Sequence, residues 1–271
     1  MALIKISACL VLHNEENLII RCLDSLKDVV DEIIVVHDGP CIDQTLVIAA
    51  KYGARIFERE FIGEAEPHRP FSFAQARGDW ILQIDADEYL SPKLQKNLRI
   101  LAENKNIAAY EFIWPIWNGK KIISSLWPKK RCFFRRDKIS FLGLPHFVVA
   151  VAGLIVASPL VLNHEPNYDN YQCNIFKTKW LPWAQIQARY YLKDFTAIAK
   201  FNYNHNDWPR QIIIRRSFPL LVLPFDAILV FARTLCSGAY RLGLAGFKVA
   251  LIHGAYRAAI DYYLIKIKQT T

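Results

Sequence analysis

Several things are missing from this sequence. It has no C-x-x-C pair: Cys9, Cys22, Cys41, Cys132, Cys173 and Cys236 are scattered. That spacing fits reduced, mostly buried thiols in a cytosolic setting rather than a disulfide framework. No internal repeat and no low-complexity segment appears, so a solenoid or a long tethering linker is not expected. Leu3 to Leu12 reads as a strand with only Lys5 charged. No basic leader or small-residue cleavage site comes with it, so no signal peptide is expected. The glycine- and lysine-rich phosphate loop that a nucleotidyltransferase on a similar sheet would carry after its first strand is absent. An unbroken apolar run of about 20 residues, the usual length of a membrane-spanning helix, is also lacking. The best approach to one, 212–231, is interrupted by Arg215, Arg216, Pro219, Pro224 and Asp226.

What is present suits one good core, or one domain plus an appendage, in 271 residues. Hydrophobic residues make up 53% and charged residues an ordinary 22%, which excludes disorder. The net charge of +9 is uneven. From residue 201 onward nine basic residues (Arg210, Arg215, Arg216, Arg233, Arg241, Lys248, Arg257, Lys266, Lys268) face three acids (Asp207, Asp226, Asp261), a local charge of +6. This is also the most apolar part of the chain. Basic and apolar together point to an anionic membrane surface, not to nucleic acid. Phe247, Leu251, Ala255, Ala258 and Tyr262 recur at helical spacing in 242–265, against Lys248 and Arg257. The expectation for 205–268 is therefore helices lying in the interface, or a shallow re-entrant hairpin, with a buried helical subdomain as the plainer alternative.

The first 90 residues alternate strand and helix. A strand over 3–12 is followed by Leu18, Ile19, Cys22, Leu23 and Leu26 at helical spacing, with Asn14 as N-cap. Strands at 32–37 and 54–57 flank a helix that Asp43 opens and Gly53 stops. A loop over 59–70 and a short helix near 71–77 lead to a strand over 80–84. This β-α-β-α-β order with short connections predicts a parallel, doubly wound α/β sheet. Ser91-Pro92 starts a helix over roughly 93–103. Residues 107–117 and 131–136, around the turn Asn118-Gly119, are expected as antiparallel additions. The signal over 145–170 is weak, and 171–200 looks helical and aromatic. An α/β domain over 1–170, divided near residue 90, and a helical region over 171–271 follow from this.

Gly78 to Glu88 organises the rest. Trp80 to Ile84 is a short apolar run that ends in three carboxylates, Asp85, Asp87 and Glu88. Alternate residues on extended backbone point the same way, so Asp85 and Asp87 are expected to aim at one point. Two hard oxygen ligands at the carboxyl end of a strand suit Mg²⁺ or Mn²⁺ carrying a nucleotide diphosphate. The plain alternative is a polar turn, because D-x-D recurs by chance in acidic loops.

Three motifs in order add weight to the metal reading. They are Leu12-His13-Asn14-Glu15-Glu16, the stretch Glu32-Ile33-Ile34-Val35-Val36-His37-Asp38-Gly39 continuing to Asp43-Gln44-Thr45, and Gly78 through Glu88. At these spacings residues 4–90 resemble the family-2 glycosyltransferases of the GT-A fold. A looser likeness, to the lipopolysaccharide-core type, rests on Gly53 to Glu60, on Arg131-Cys132-Phe133-Phe134-Arg135-Arg136 and on the basic helices of 205–268. The resemblance implies sugar transfer with inversion from a nucleotide-sugar, most simply a UDP-hexose. The acceptor would be lipid-linked or lipopolysaccharide core, at the cytoplasmic face of a membrane. It implies donor contacts from His13, Asn14, Glu15, Asp38, Arg69 and Asp85, with the metal on Asp85, Asp87 and His164. A polyprenyl-phosphate sugar synthase and a non-catalytic nucleotide-sugar-binding protein are the alternatives.

The chain departs from the resemblance at one place. Relatives commonly carry a His-Glu pair after the Arg131–Arg136 strand, and this chain has His146-Phe147. A hydroxyl acceptor needs a general base. The carboxylate expected to serve is missing, which leaves Glu88, His146 and Glu165, next to His164, as catalytic candidates. A phosphate acceptor would need no base.

Overall fold

The structure, a computed structural model, describes residues 4–124 and 126–270; Leu3, the expected start of the first strand, lies outside them. Alternation produces the expected order: β1 (Ile6–Leu12), α1 (Glu16–Leu26), β2 (Glu32–Asp38), α2 (Thr45–Lys51), β3 (Arg55–Arg59), α3 (Arg69–Gln75) and β4 (Trp80–Gln83). β1 is parallel to β2 and β4, and β2 to β3. The apolar stripe of α1 explains its seat: Ile19, Cys22, Leu23 and Leu26 are all fully buried against the sheet. Its N-cap is Glu15, without a side-chain cap, and not Asn14 as expected. Asn14 instead takes φ 52°, a left-handed conformation that asparagine tolerates, and its Oδ1 accepts from Ile42 N at 2.9 Å.

After β4 come β5 (Glu88–Leu90), α4 (Pro92–Ala102), β6 (Ile107–Ile113), β7 (Lys129–Arg135), β8 (Ile139–Leu142), β9 (Ala150–Val151) and β10 (Leu154–His164). Ser91 caps α4 and Pro92 opens it. The main sheet has the order β3-β2-β1-β4-β7-β6-β10-β5. β7 is antiparallel to both β4 and β6, while β10 runs parallel to β6 and antiparallel to β5. β10 occupies the stretch where the sequence signal is weak. Pro159 lies inside it, between Ala157 and Val161, where the register with β6 shifts. A proline is tolerated in a sheet at such a bulge, and it hides the strand from periodicity. The core lies on both faces of this sheet: α1, α2 and α4 cover one, α3 and the small β11-β8-β9 sheet the other.

The remainder is helical: α5 (Cys173–Ile175), a π-turn over Phe176–Trp180, α6 (Leu181–Leu192), the short β11 (Lys200–Phe201), α7 (Arg210–Ser217), α8 (Pro219–Cys236) and α9 (Leu244–Thr270). α6 packs on α9, with Ala188, Tyr191, Tyr256, Ile260 and Leu264 buried between them and beneath Leu142 and Leu144. α8 packs mainly on α9, and its outward residues Leu220, Leu221, Phe225, Ile228 and Leu229 are exposed. The expectation counted Arg215, Pro219 and Asp226 as interruptions in one apolar run. The chain instead breaks between α7 and α8, so Pro219 starts a helix. Asp226 turns inward to Arg215, with Arg257 Nε at 3.6 Å. What remains is an 18-residue helix of mean hydropathy 1.8, long and apolar enough to cross a membrane by length and composition alone.

Candidate active site

Parallel strands present their carboxyl ends at one rim, and the chemistry-bearing residues collect there. At the end of β1, His13 Nδ1 donates to the Asp38 carbonyl at 2.6 Å. His37 Nδ1 donates to Gly39 O at 2.6 Å, so its Nε2 is free to accept from Asn14 N at 3.2 Å. These contacts lock the two rim turns together. Glu15 faces the cleft. Burial first, then the charges of Asp87 and Asp85, push its carboxyl up to about 8.

Asp38, at the end of β2, is buried and fully engaged. Its Oδ1 accepts from Ile62 N at 2.6 Å and His68 Nε2 at 2.9 Å, and its Oδ2 from Gly63 N at 2.8 Å. Burial pushes this carboxyl up, but those three hydrogen bonds outweigh it and hold it below its ordinary value. Asp38 thus staples the loop that follows β3, and in this conformation neither oxygen is open to a nucleotide base.

The carboxylates after β4 do not meet at one point. The strand ends at Gln83, and Glu88 N bonds back to Asp85 O at 3.0 Å, so Asp85 to Asp87 form a turn, which removes the expected alternation. Asp85 goes one way: Arg69 Nη2 lies 2.8 Å from Oδ1 and Lys130 Nζ 2.7 Å from Oδ2. Against the upward push of burial, Lys130 and Arg69 hold Asp85 well below the usual carboxylate range. Asp87 goes the other way, with Oδ2 3.3 Å from His164 Nε2 at the end of β10. The indole of Trp114 stacks on that imidazole at 3.8 Å.

Two catalytic candidates are placed away from the reacting face. Glu88 is wholly buried, with Lys130 Nζ at 2.6 and 2.8 Å, Trp114 Nε1 on Oε1 and Asp85 N on Oε2. It underpins the turn. Glu165 points over the outside, toward Arg21 Nη1 at 2.5 Å and the Tyr89 hydroxyl. His146 is the candidate that stays at the cleft, in a left-handed conformation (φ 54°), its ring edge-on to Trp183 and Tyr256.

Which of these residues fit a metal can be judged from the donor set. Asp85 does not fit, because both its oxygens are held by cations. Asp87 and His164 do fit: an oxygen and a nitrogen face each other, and among the described residues His164 Nδ1 has no hydrogen-bond partner. No group of three or more His, Cys, Asp or Glu that could hold a metal occurs among the described residues. Two protein ligands suit a hard divalent ion that takes its remaining ligands from phosphate and water. Arg69 fits an anion. It is 4% exposed, yet its Nε and Nη1 make no hydrogen bond, with Glu66 Oε1 4.0 Å from Nε. Buried donors without acceptors are costly unless a ligand completes them.

Three residues at this rim escape sequence reasoning. Lys130 looks like one of a basic pair, Trp114 like a core aromatic, and Lys179 like a surface lysine of 171–200. Lys179 lies over the Tyr168 and Trp183 rings at 4.3 and 4.5 Å. Burial there pulls its ammonium down, and Asp87, Glu15, Glu64 and Asp85 oppose that pull. Only the π-turn, a local distortion common at functional sites, could have marked it.

The model of the family described as glycosyl transferase family 2 matches residues 7–158. The chain belongs to that family. Its mostly parallel sheet with flanking helices is the α/β arrangement expected of a GT-A transferase. Among curated relatives, an uncharacterised glycosyltransferase of Rickettsia bellii is 37% identical over 106 residues, which is 39% of this chain and 35% of that protein. A TPR repeat-containing protein of Synechococcus elongatus is 36% identical over 109 residues, 40% of this chain and 27% of that protein. The match thus spans about a third of the curated relatives' length. Among solved structures, S. aureus TarS 1–349 in complex with UDP is 14% identical, with a TM-score of 0.47, over 98% of this chain and 92% of that one. Glucosyl-3-phosphoglycerate synthase of Mycobacterium tuberculosis, with Mn²⁺, UDP and glucosyl-3-phosphoglycerate, is 23% identical, TM-score 0.37, over 49% and 57%.

Proposed function

We propose that this family-2 chain is a divalent-metal-dependent, inverting transferase. It moves a hexose from a nucleotide-sugar, a UDP-hexose, to a lipid-linked saccharide or lipopolysaccharide-core acceptor at the cytoplasmic face of a membrane. The observation that carries the reading is the split of the rim: Asp87 and His164 face each other on one side, and the unpaired Nε and Nη1 of buried Arg69 stand on the other. A metal-bound diphosphate is the ligand that needs both.

In this reading Asp87 and His164 would hold Mg²⁺ or Mn²⁺, and the ion would supply neutralising charge for the departing nucleotide diphosphate. Arg69 receives phosphate oxygens through its free donors, and Asp85, itself held by Lys130, keeps its guanidinium in place. Lys179 adds a second cation over the cleft. His13, Asn14 and Glu15 line the side where the nucleoside lies. The +6 of the chain from residue 201 onward and the exposed apolar face of α8 support a lipid surface as the site of the acceptor. The same apolar face favours a second reading, a polyprenyl-phosphate acceptor, in which no base is needed.

Calorimetric titration of UDP and of GDP into the protein, with Mn²⁺ and with EDTA, tests the donor site. Metal-dependent binding of UDP, abolished in Asp87→Ala, is the expected result. A folded wild-type protein that binds neither nucleotide would sink the transferase reading.

A further inference from the structure

The carboxylate that is missing beside His146 in sequence is present in space. Glu64 lies four residues before His68 on the loop stapled by Asp38, one residue beyond Gly63, whose amide Asp38 holds. It is 6% exposed, and its Oε1 makes no hydrogen bond. His146 Nε2 stands 3.8 Å from that oxygen. Such a distance is ordinary for an acid–base pair without its substrate.

The imidazole is held on its other sides. Gln187 Nε2 donates to the carbonyl of Pro145, the preceding residue, at 2.8 Å, and the Tyr256 hydroxyl donates to Gln187 Oε1 at 3.0 Å. Trp183 and Tyr256 present their rings to it, edge on. Side-chain exposure falls from 37% for His146 to 4% for Glu64, so the imidazole opens to the cleft and the carboxylate stands behind it. Three layers in this order, reacting group, base and orienting carboxylate, are the arrangement that fixes an imidazole tautomer.

We propose that Glu64 is the positioning residue for His146, and that His146 takes the proton from the acceptor hydroxyl. This rests on the transferase reading and narrows it to a hydroxyl acceptor. With Nε2–H directed at Glu64, the lone pair on Nδ1 receives the acceptor proton. The acceptor oxygen bonds to the anomeric carbon, and the bond from that carbon to the diphosphate oxygen breaks. The electron pair leaves with the nucleotide diphosphate, and the imidazolium returns its proton to solvent. Burial pushes Glu64 well above its ordinary value and His146 below its own; protonating His146 draws the neighbouring carboxyl to its ionised form, and that charge holds the imidazolium in turn.

Other titratable groups face the pair from every side. Glu66 and Arg69 come from the same loop and α3, Asp38 from β2 and Lys179 from the π-turn. Tyr190 comes from α6, and His253, Tyr256 and Arg257 from α9. Replacing Glu64 alone leaves all of them in place.

The test is a ¹³C-histidine NMR titration of the full chain, in which His146→Asn assigns the resonance among the seven histidines. It is joined to UDP–Mn²⁺ calorimetry and to UDP release from UDP-glucose and UDP-galactose with water as acceptor. In Glu64→Gln the His146 resonance is expected to titrate about one pH unit lower, because a carboxylate partner favours the imidazolium. UDP affinity stays within about 2-fold and UDP release falls by at least about 10²-fold. Glu64→Asp restores part of the shift. An unchanged His146 titration with intact UDP binding overturns the pair and leaves the transferase reading standing. Equal UDP release by wild type and Glu64→Gln overturns it too. Loss of UDP binding from the wild type removes the reading on which both rest.

Discussion

Asp43 sits between two helix starts. Its Oδ2 accepts from Glu16 N, the first residue of α1, at 3.1 Å, and its Oδ1 from Thr45 N, the first of α2, at 2.8 Å. Burial pushes its carboxyl up, but the hydroxyl and amide of Thr45 and the amide of Glu16 together outweigh that and lower it from 3.8 to about 2. A depressed carboxylate contributes stability that is complete above its unfolded pKa and is lost as pH falls through the folded one. Asp43→Ala is therefore expected to cost roughly 1–2 kcal/mol at neutral pH, and the gap to wild type should close between about pH 4 and pH 2. Urea unfolding at a series of pH values measures it. Lys130 is a harsher case. It lies within 2.8 Å of both Asp85 and Glu88, and removing it strands two carboxylates. Lys130→Met should destabilise by about 3–5 kcal/mol. A loss under about 1 kcal/mol would mean that water compensates the pair. Charges like these explain why the site was only partly legible. Asp87, His164 and Arg69 lie together at the rim, and of these the resemblance alone suggested His164 and Arg69. Asp38 and Asp85 are expected to meet donor or metal and Glu88 to act in catalysis, yet their oxygens are occupied by partners distant in sequence, which no local pattern encodes.

At the level of elements, α8 and α9 approach closely because of Gly254. A Cβ there would meet Ala227 O at 2.9 Å and Phe231 Cβ at 3.3 Å. Gly254→Val should pry the pair apart and cost about 1–3 kcal/mol, visible as a lower thermal midpoint. The outward face of α8 can be changed without touching that contact. Leu221→Asp with Phe225→Asp and Ile228→Asp alters exposed positions only, so stability should move by less than about 0.5 kcal/mol per site. Flotation with vesicles containing anionic lipid should nevertheless fail in the triple variant; unimpaired flotation would assign membrane contact elsewhere. Deleting 205–268 is a poorer probe, because Ile212, Tyr256 and Ile260 belong to the packed core. This region shows how tertiary pairing alters what a sequence implies. Asp226 breaks an apolar run on paper, but its charge is turned against Arg215 and Arg257 and the outer face stays apolar. β10 was obscured in a similar way, by a proline that its bulge accommodates.

On the scale of the whole molecule, the distribution of charge makes an ionic-strength prediction. If the +6 of the region from residue 201 onward meets anionic lipid, vesicle binding should weaken several-fold between low salt and about 0.5 M, where the Debye length is only about 4 Å. Binding indifferent to salt would mean that the apolar face acts alone. The doubly wound half of the fold was legible because its periods are local, changing from two to 3.6 residues and back. The antiparallel insertion of β7 between β4 and β6 was legible only as an addition, since its place in the sheet depends on partners as distant as Trp80, opposite Arg135. That reversed strand changes how one charge is held. His13, Asp38, Asp87 and Arg69 come from strand ends, a turn and the start of α3. Lys130 sits near the entrance of β7, opposite Phe112 of β6, and β7 continues inward against both β6 and β4. Its ammonium is therefore fixed by the sheet itself, and Asp85 and Glu88 close on a support that no loop carries.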